Sequence, residues 1–276
     1  MVYEPARNAG RRRVRALKAL YGGHDRLLIS GGTVLAFFVV WEAIARSGFI
    51  NPLFISSPTL ALRAAHELFA EGEIWKDLRV SATEFLAGYV LAAVVAIPLG
   101  LAIGWYKRLY YLLSPFIDGL NAVPRVTLLP LIVIWFGIGI WSKIVVVFLG
   151  AVIPMLINTF SGVKTNEERF LRVARSFGAS ELMIFWSIVL PGTVPFIFTG
   201  LKYAAGRALL GVVVGELYAA TAGIGYLIAI AGNTFQTDKV FVGILLVMIT
   251  GLVTVEVLNR LERRFDAWRP KVGSAT

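Results

Sequence analysis

RVARSFGASELMIFWSIVLP, residues 172–191, lies between two long apolar segments. Its apolar side chains fall near a 3.6-residue period, whereas Arg172 and Arg175 lie off that stripe, so the pattern predicts one amphipathic helix at a membrane surface. Gly178 falls mid-helix, where glycine costs about 1 kcal/mol relative to alanine. We therefore expect another backbone to approach Gly178 closely, and Pro191 to end the helix. A helix that only rests on lipid is the alternative.

The composition around this stretch is that of an integral membrane protein. Hydrophobic residues make up 57% of the 276, against roughly 45–50% in soluble domains. The net charge of +10 does not indicate nucleic acid binding, because the basic residues flank apolar segments and lack interleaved stacking aromatics. The absence of cysteine excludes disulfides and thiolate metal sites.

Six segments approach the length of about 20 apolar residues that a membrane-spanning helix needs. Three prolines interrupt the third, which we expect to be kinked or broken. The segment ATAGIGYLIAIAGNTFQTD, residues 220–238, is too short to cross and return, so we expect it to dip into the outer face of the bundle or to lie along it. The predicted spans are Leu27–Ala45, Phe85–Trp105, Leu109–Phe136, Ile144–Val163, Thr193–Val214 and Val240–Leu258.

Charge sets the predicted topology. With the N-terminus inside, the inside regions hold about three times as many lysines and arginines as the outside regions, which favours six spans with both termini cytoplasmic. A cleaved signal peptide is the alternative for the first span. The predicted organisation is a basic cytoplasmic segment 1–26, a first helix with a periplasmic loop 27–84, a permease core 85–260 that includes a cytoplasmic loop 164–191, and a cytoplasmic tail 261–276.

Four charged residues at predicted membrane depth are candidates for a substrate pathway: Arg125, Lys202, Arg207 and Glu216. Three are cationic, which suits an anionic substrate. Lys202 and Arg207 differ by roughly 140° of helical rotation, so only one should line a given pore. The alternative is that Lys202 reaches the inner surface and that Arg207 and Glu216 serve helix packing.

No enzyme motif occurs in the sequence. We find no HExxH, no nucleophile elbow and no phosphate-binding GxxxxGK[ST], so the chain is expected to hydrolyse no ATP and to bind no metal or cofactor of its own.

The loop resembles a known signature. Ala174, three residues, Gly178, nine residues, Ile188, one residue and Leu190-Pro191 are similar to the loop of permease subunits of bacterial ATP-binding-cassette (ABC) importers, which conventionally reads glutamate-alanine-alanine, glycine, then isoleucine and leucine-proline. In that family the loop contains the coupling helix that contacts the ATPase.

Two positions depart from the signature, since Arg172 replaces its glutamate and Val173 its first alanine. Residues 114–163 and 200–228 resemble the nitrate/sulfonate/taurine class, and the resemblance covers most of Phe85 to Arg264. That class also contains permeases for other small organic anions and for heterocyclic vitamin precursors, so the resemblance leaves the substrate open.

The resemblance implies an all-α type I importer permease fold with six transmembrane helices in a bacterial inner membrane. Its implied partners are a second copy as a homodimer, two ATPase subunits that bind ATP and magnesium, and a periplasmic or lipid-anchored solute-binding protein. The alternative is an ion-coupled secondary transporter, which would show inverted repeats. The implied coupling residues are Arg172, Val173, Ala174, Gly178, Ile188, Leu190 and Pro191.

Overall fold

A computed structural model describes residues 25–166 and 168–265, and every regular element in these ranges is helical. The predicted segment 1–26, apart from its last two residues, and the tail beyond residue 265 lie outside the described residues. The helices are α1 Asp25–Arg46, α2 Pro52–Ile55, α3 Pro58–Glu71, α4 Ile74–Trp105, α5 Lys107–Ala122, a 3₁₀ turn Arg125–Leu128, α6 Leu129–Phe136, α7 Ile140–Thr165, α8 Glu168–Ser176, α9 Glu181–Ile184, a π turn Phe185–Val189, α10 Leu190–Ala219, α11 Ile224–Asn233 and α12 Thr237–Arg263.

The chain divides into two units at residues 64 and 65. In the first unit, α1 is an apolar helix whose end is tied to the start of α3 through Glu42. The Glu42 carboxylate pairs with Arg46 at 2.5 Å and accepts a hydrogen bond from the Thr59 backbone N–H at 3.1 Å. The predicted first span is therefore a helix with a fixed C-terminal connection.

In the second unit, α4, α7 and α10 form the core. Gly88 of α4 lies against Val147 of α7, where an added Cβ would approach the Val147 Cβ to 2.6 Å. Alanines such as Ala92 and Ala208 are fully buried in the same core. Small residues let helices approach closely, which is the main source of helix association where no water is available to drive it.

The third span is broken, as predicted. α5 and the 3₁₀–α6 segment meet at an angle of 91°. Pro124 explains the break, because it lacks an N–H and forces Val123 into an extended conformation with ψ 126°. Pro130 instead begins α6, where proline is favoured.

Among the described residues, five helices are long and apolar enough to cross a membrane, and there are six spans if the broken pair is one span. The predicted all-α class is confirmed, and the predicted six spans are the upper value of this range. The second span is longer than predicted, because α4 begins at Ile74 rather than at Phe85, so the predicted boundary between residues 84 and 85 falls inside a helix. The segment after the fifth span forms the ten-residue α11, too short to cross.

Candidate functional site

The loop between α7 and α10 is not the single helix that periodicity predicts. Helix α8 ends at Ser176, and Gly178 follows in the left-handed region with φ +78°. The Ala179 N–H donates to the Ala174 carbonyl at 3.1 Å and the Gly178 N–H donates to the Arg175 carbonyl at 2.9 Å, a Schellman C-cap.

The expected mid-helix position of Gly178 is therefore wrong, whereas the close approach of another protein's backbone to Gly178 stays a prediction. A Cβ at Gly178 would meet no atom within 4 Å, so close approach by another part of the chain does not require glycine there. The positive φ of Gly178 is what requires glycine, because residues with a Cβ are disfavoured in that conformation.

A second helix starts directly after this turn. Ser180 caps it, with its Oγ accepting a hydrogen bond from the Met183 N–H at 3.3 Å. The prediction that Pro191 ends the helix is also wrong, because Pro191 lies in the first turn of α10. A π turn precedes it, in which the Leu190 N–H donates to the Phe185 carbonyl, and this wider turn accommodates the proline. Residues 181–219 thus form one continuous 39-residue helix.

The seven predicted coupling residues divide by burial. Arg172, Val173 and Gly178 are exposed, whereas Ala174, Ile188, Leu190 and Pro191 are half-buried. Ala174 and Ile188 pack against a core of Val163, Ile184 and Val189 at this end of the bundle, which we call the loop end.

Two features of the loop were missed by sequence reasoning. The side chain of Phe177 is 89% exposed at the turn, the most exposed large apolar residue of the loop. Across the same turn, Arg175 pairs with Glu181 through Nε–Oε1 at 2.7 Å and Nη2–Oε2 at 3.2 Å. The pair is exposed, so it adds little stability but spans the bend between α8 and α9.

Arg125 and Arg207 line one cavity of about 340 Å³, formed where the broken span meets α7 and α10. Arg207 Nη2 donates to the Tyr203 hydroxyl at 3.0 Å, and Arg125 Nη2 lies 3.4 Å from Asn121 Oδ1. Arg125 Nε is buried with no hydrogen-bond partner. Within residues 25–166 and 168–265, no carboxylate forms an ion pair with either guanidinium.

Close packing of α7 on α10 fixes the position of Arg207. A Cβ at Gly150 would lie 3.0 Å from the Arg207 carbonyl oxygen, and one at Gly211 would lie 3.2 Å from Val147 Cα. Both glycines also line the cavity, so the residues that permit the contact shape the space beside the guanidinium.

Lys202 does not line this cavity. Its ammonium pairs with Glu262 near the C-terminal end of α12. Only Arg207 of the two cations on α10 faces the cavity, in agreement with the predicted 140° between them.

Glu216 lies among packed helices rather than at the cavity. It is 1% exposed, accepts a hydrogen bond from Ser81 Oγ at 2.5 Å and another from the Gly225 N–H at 2.6 Å. The alternative of a packing role fits it better than a pathway role. The neighbouring Glu84–Lys143 ion pair, at 2.9 Å and also buried, escaped sequence reasoning because both residues were assigned to loops.

Residues 96–267 match the family described as binding-protein-dependent transport system inner membrane component. The chain belongs to this family. This permease is 34% identical over 263 residues to the taurine transport system permease protein TauC of Escherichia coli K12, covering 94% of this chain and 96% of that one. It is 31% identical to the putative aliphatic sulfonates transport permease protein SsuC of Bacillus subtilis 168, covering 96% and 95%.

The fold of the permease also matches a solved structure. An inward-facing structure of the MetNI methionine ABC transporter aligns with a TM-score of 0.53 and 16% identity, over 77% of this chain and 99% of that one. The type I importer permease fold is therefore confirmed. The family match and the two relatives confirm the assignment as the permease subunit of an ABC importer of the inner membrane. The family implies an ATPase and a solute-binding protein as partners, and the secondary transporter is not favoured.

Proposed function

We propose that this permease imports a small organic anion of the sulfonate class. The relatives named for taurine and for aliphatic sulfonates support this substrate class, since both names denote compounds with a sulfonate group. The two cavity-lining arginines without carboxylate partners in the described part of the chain are compatible with an anion.

In the proposed assembly, two copies form a homodimer over two ATPase subunits, and a periplasmic or lipid-anchored binding protein delivers the substrate. ATP and magnesium bind to the ATPase, and this chain has no catalytic role and no metal or cofactor. The distribution of lysine and arginine supports cytoplasmic termini, with the loop 164–191 on the ATPase side.

The continuity of the loop with the fifth span is the observation that carries the proposal of ATP-driven import. Helix α8 is joined through the Gly178 turn to the 39-residue helix 181–219, and that helix includes Arg207. A displacement of the loop by a closing ATPase would therefore be transmitted along a rigid element to the cavity. Seven loop residues would take part in the contact: Arg172, Val173, Ala174, Gly178, Ile188, Leu190 and Pro191.

Phe177 provides the sharpest test of this contact. Its ring is 89% exposed, so Phe177→Asp removes an apolar contact without disturbing the core of the chain. We expect the variant to be inserted and folded but to lose most of the ATPase that co-purifies with the wild-type chain in mild detergent. Phe49→Asp is the matched control, because Phe49 is 92% exposed and lies outside the loop.

Two results would contradict the proposal. One is normal ATPase recovery and normal uptake with Phe177→Asp. The other is sulfonate uptake into vesicles that contain the permease without any ATPase and that respond to an ion gradient, which would restore the secondary transporter.

A further inference from the structure

The arginine cavity lies near the middle of the membrane-spanning bundle. Arg207 is 17 residues, about 25 Å, from the start of α10 at Leu190 and 12 residues, about 18 Å, from its end at Ala219. Its carbonyl oxygen faces Gly150, close to the midpoint of the 26-residue α7. The guanidinium groups are thus far from both ends of the spans.

Two cations at this depth raise the free energy of the folded protein in the membrane unless a counter-charge compensates them. A charged side chain at the bilayer centre costs about 2.5–3.5 kcal/mol on insertion scales, and two guanidinium groups facing one cavity also repel each other. Two other charged pairs of the same unit, the buried Lys143–Glu84 and the half-buried Lys202–Glu262, are internally compensated. Arg125 and Arg207 have no carboxylate partner among the described residues.

We propose that Arg125 and Arg207 form an anion-binding site within the permease itself, which holds the head group of the substrate in transit. Guanidinium groups bind oxoanions such as sulfonate and carboxylate with two hydrogen bonds each, a geometry that lysine does not reproduce. Asn121 and Tyr203 orient the two guanidinium groups. The site rests on the proposed function for its physiological ligand, but it can be measured on the permease alone.

The surroundings of Arg125 also specify the rest of the ligand. A second cavity of about 270 Å³ includes Arg125 in its lining, and its other lining residues are apolar, among them Leu120, Phe148 and Val152. A ligand whose anionic head group binds the two arginines would place its aliphatic tail in this second cavity. The class of ligand is therefore a short-chain alkyl oxoanion, and a sulfate ion would leave the second cavity unused.

The test is direct binding of radiolabelled propanesulfonate to the full-length permease in detergent, without ATPase or binding protein. Replacing either arginine by glutamine removes charged hydrogen bonds, and we expect Kd to rise roughly 10- to 100-fold. Each methylene added between methanesulfonate and pentanesulfonate should tighten binding by up to about fourfold. Propylammonium, which has the same tail and the opposite charge, should not compete.

Lys202→Gln is the matched control, because it removes a cation from the same helix outside the cavity, and Kd should stay unchanged. If a glutamine variant fails to fold, Arg125→Lys and Arg207→Lys keep the charge but lose the paired donors, and they should weaken binding by a smaller factor.

The site is refuted if the folded wild-type chain does not bind propanesulfonate, if both arginine variants bind as tightly as wild type, or if Lys202→Gln weakens binding equally. Equal affinity for methanesulfonate and pentanesulfonate would refute the assignment of the second cavity to the tail. These results bear only on the site within the permease. ATP-driven sulfonate uptake by the complete importer is measured separately, and its absence would refute the proposed function.

Discussion

Replacing Gly178 by alanine tests why the loop needs glycine. The residue has φ +78°, and a Cβ there would meet no atom of the chain within 4 Å. Alanine therefore introduces no clash, and its effect should come only from the left-handed backbone, which costs an L-residue roughly 1–2 kcal/mol. An energy of that size lowers the equilibrium constant for forming the observed turn about 5- to 30-fold.

If the ATPase binds only this turn, the apparent Kd should rise by up to the same factor. The assay is titration of the purified ATPase onto permease in lipid nanodiscs. Gly178→Asn should be milder than Gly178→Ala, because asparagine tolerates the left-handed region better. Gly119→Ala is the matched control, since Gly119 lies in helix α5 with open space around it and no positive φ.

The order of the two variants decides between two physical reasons. A larger loss for the bulkier asparagine than for alanine would refute the backbone argument and would indicate that the ATPase approaches the Gly178 Cα closely. Equal affinity for glycine and alanine would show that the turn is not needed for docking.

Three further variants probe stability. Glu84→Gln leaves Lys143 buried and uncompensated, and it should lower the free energy of unfolding by about 3–5 kcal/mol, with most of the loss recovered when both are replaced by leucine; an unchanged melting midpoint would contradict this. Gly88→Ala places a Cβ 2.6 Å from the Val147 Cβ and 2.7 Å from the Ile144 carbonyl oxygen and should cost about 1–3 kcal/mol, so a melting midpoint no lower than that of Gly119→Ala would contradict the packing argument. Ser180→Ala removes a cap worth about 1 kcal/mol, which should appear as faster hydrogen exchange in the first turn of α9 and not in α8.

The candidate spans could be predicted because their determinants are local. A run of about 20 apolar residues has to be helical in lipid, where every backbone polar group must be satisfied within the segment. The break of the third span was predictable for the same reason, since Pro124 removes a donor and constrains Val123 wherever the chain lies.

Helix ends were harder to predict. The 3.6-residue period of residues 172–191 continues through the Gly178 turn, so periodicity alone joined two helices into one. The ends depend on the left-handed turn at Gly178, the cap at Ser180 and the π turn before Pro191. Two of these had a visible signal, because glycine and serine two residues apart are typical of a helix end followed by a helix start.

By itself, the sequence determined the membrane class, the candidate spans and a short set of intramembrane charges, which follow from composition and local pattern, and its resemblance to known permeases indicated the importer family. Only the tertiary structure decided which of those charges act together. Arg125 and Arg207 are 82 positions apart, and they share a cavity because Pro124 bends the third span and Gly150 lets α10 approach α7. Lys202 and Glu216 lie on the same helix as Arg207, but Lys202 pairs with Glu262 and Glu216 accepts a hydrogen bond from Ser81. The two arginines therefore have no carboxylate partner among the described residues.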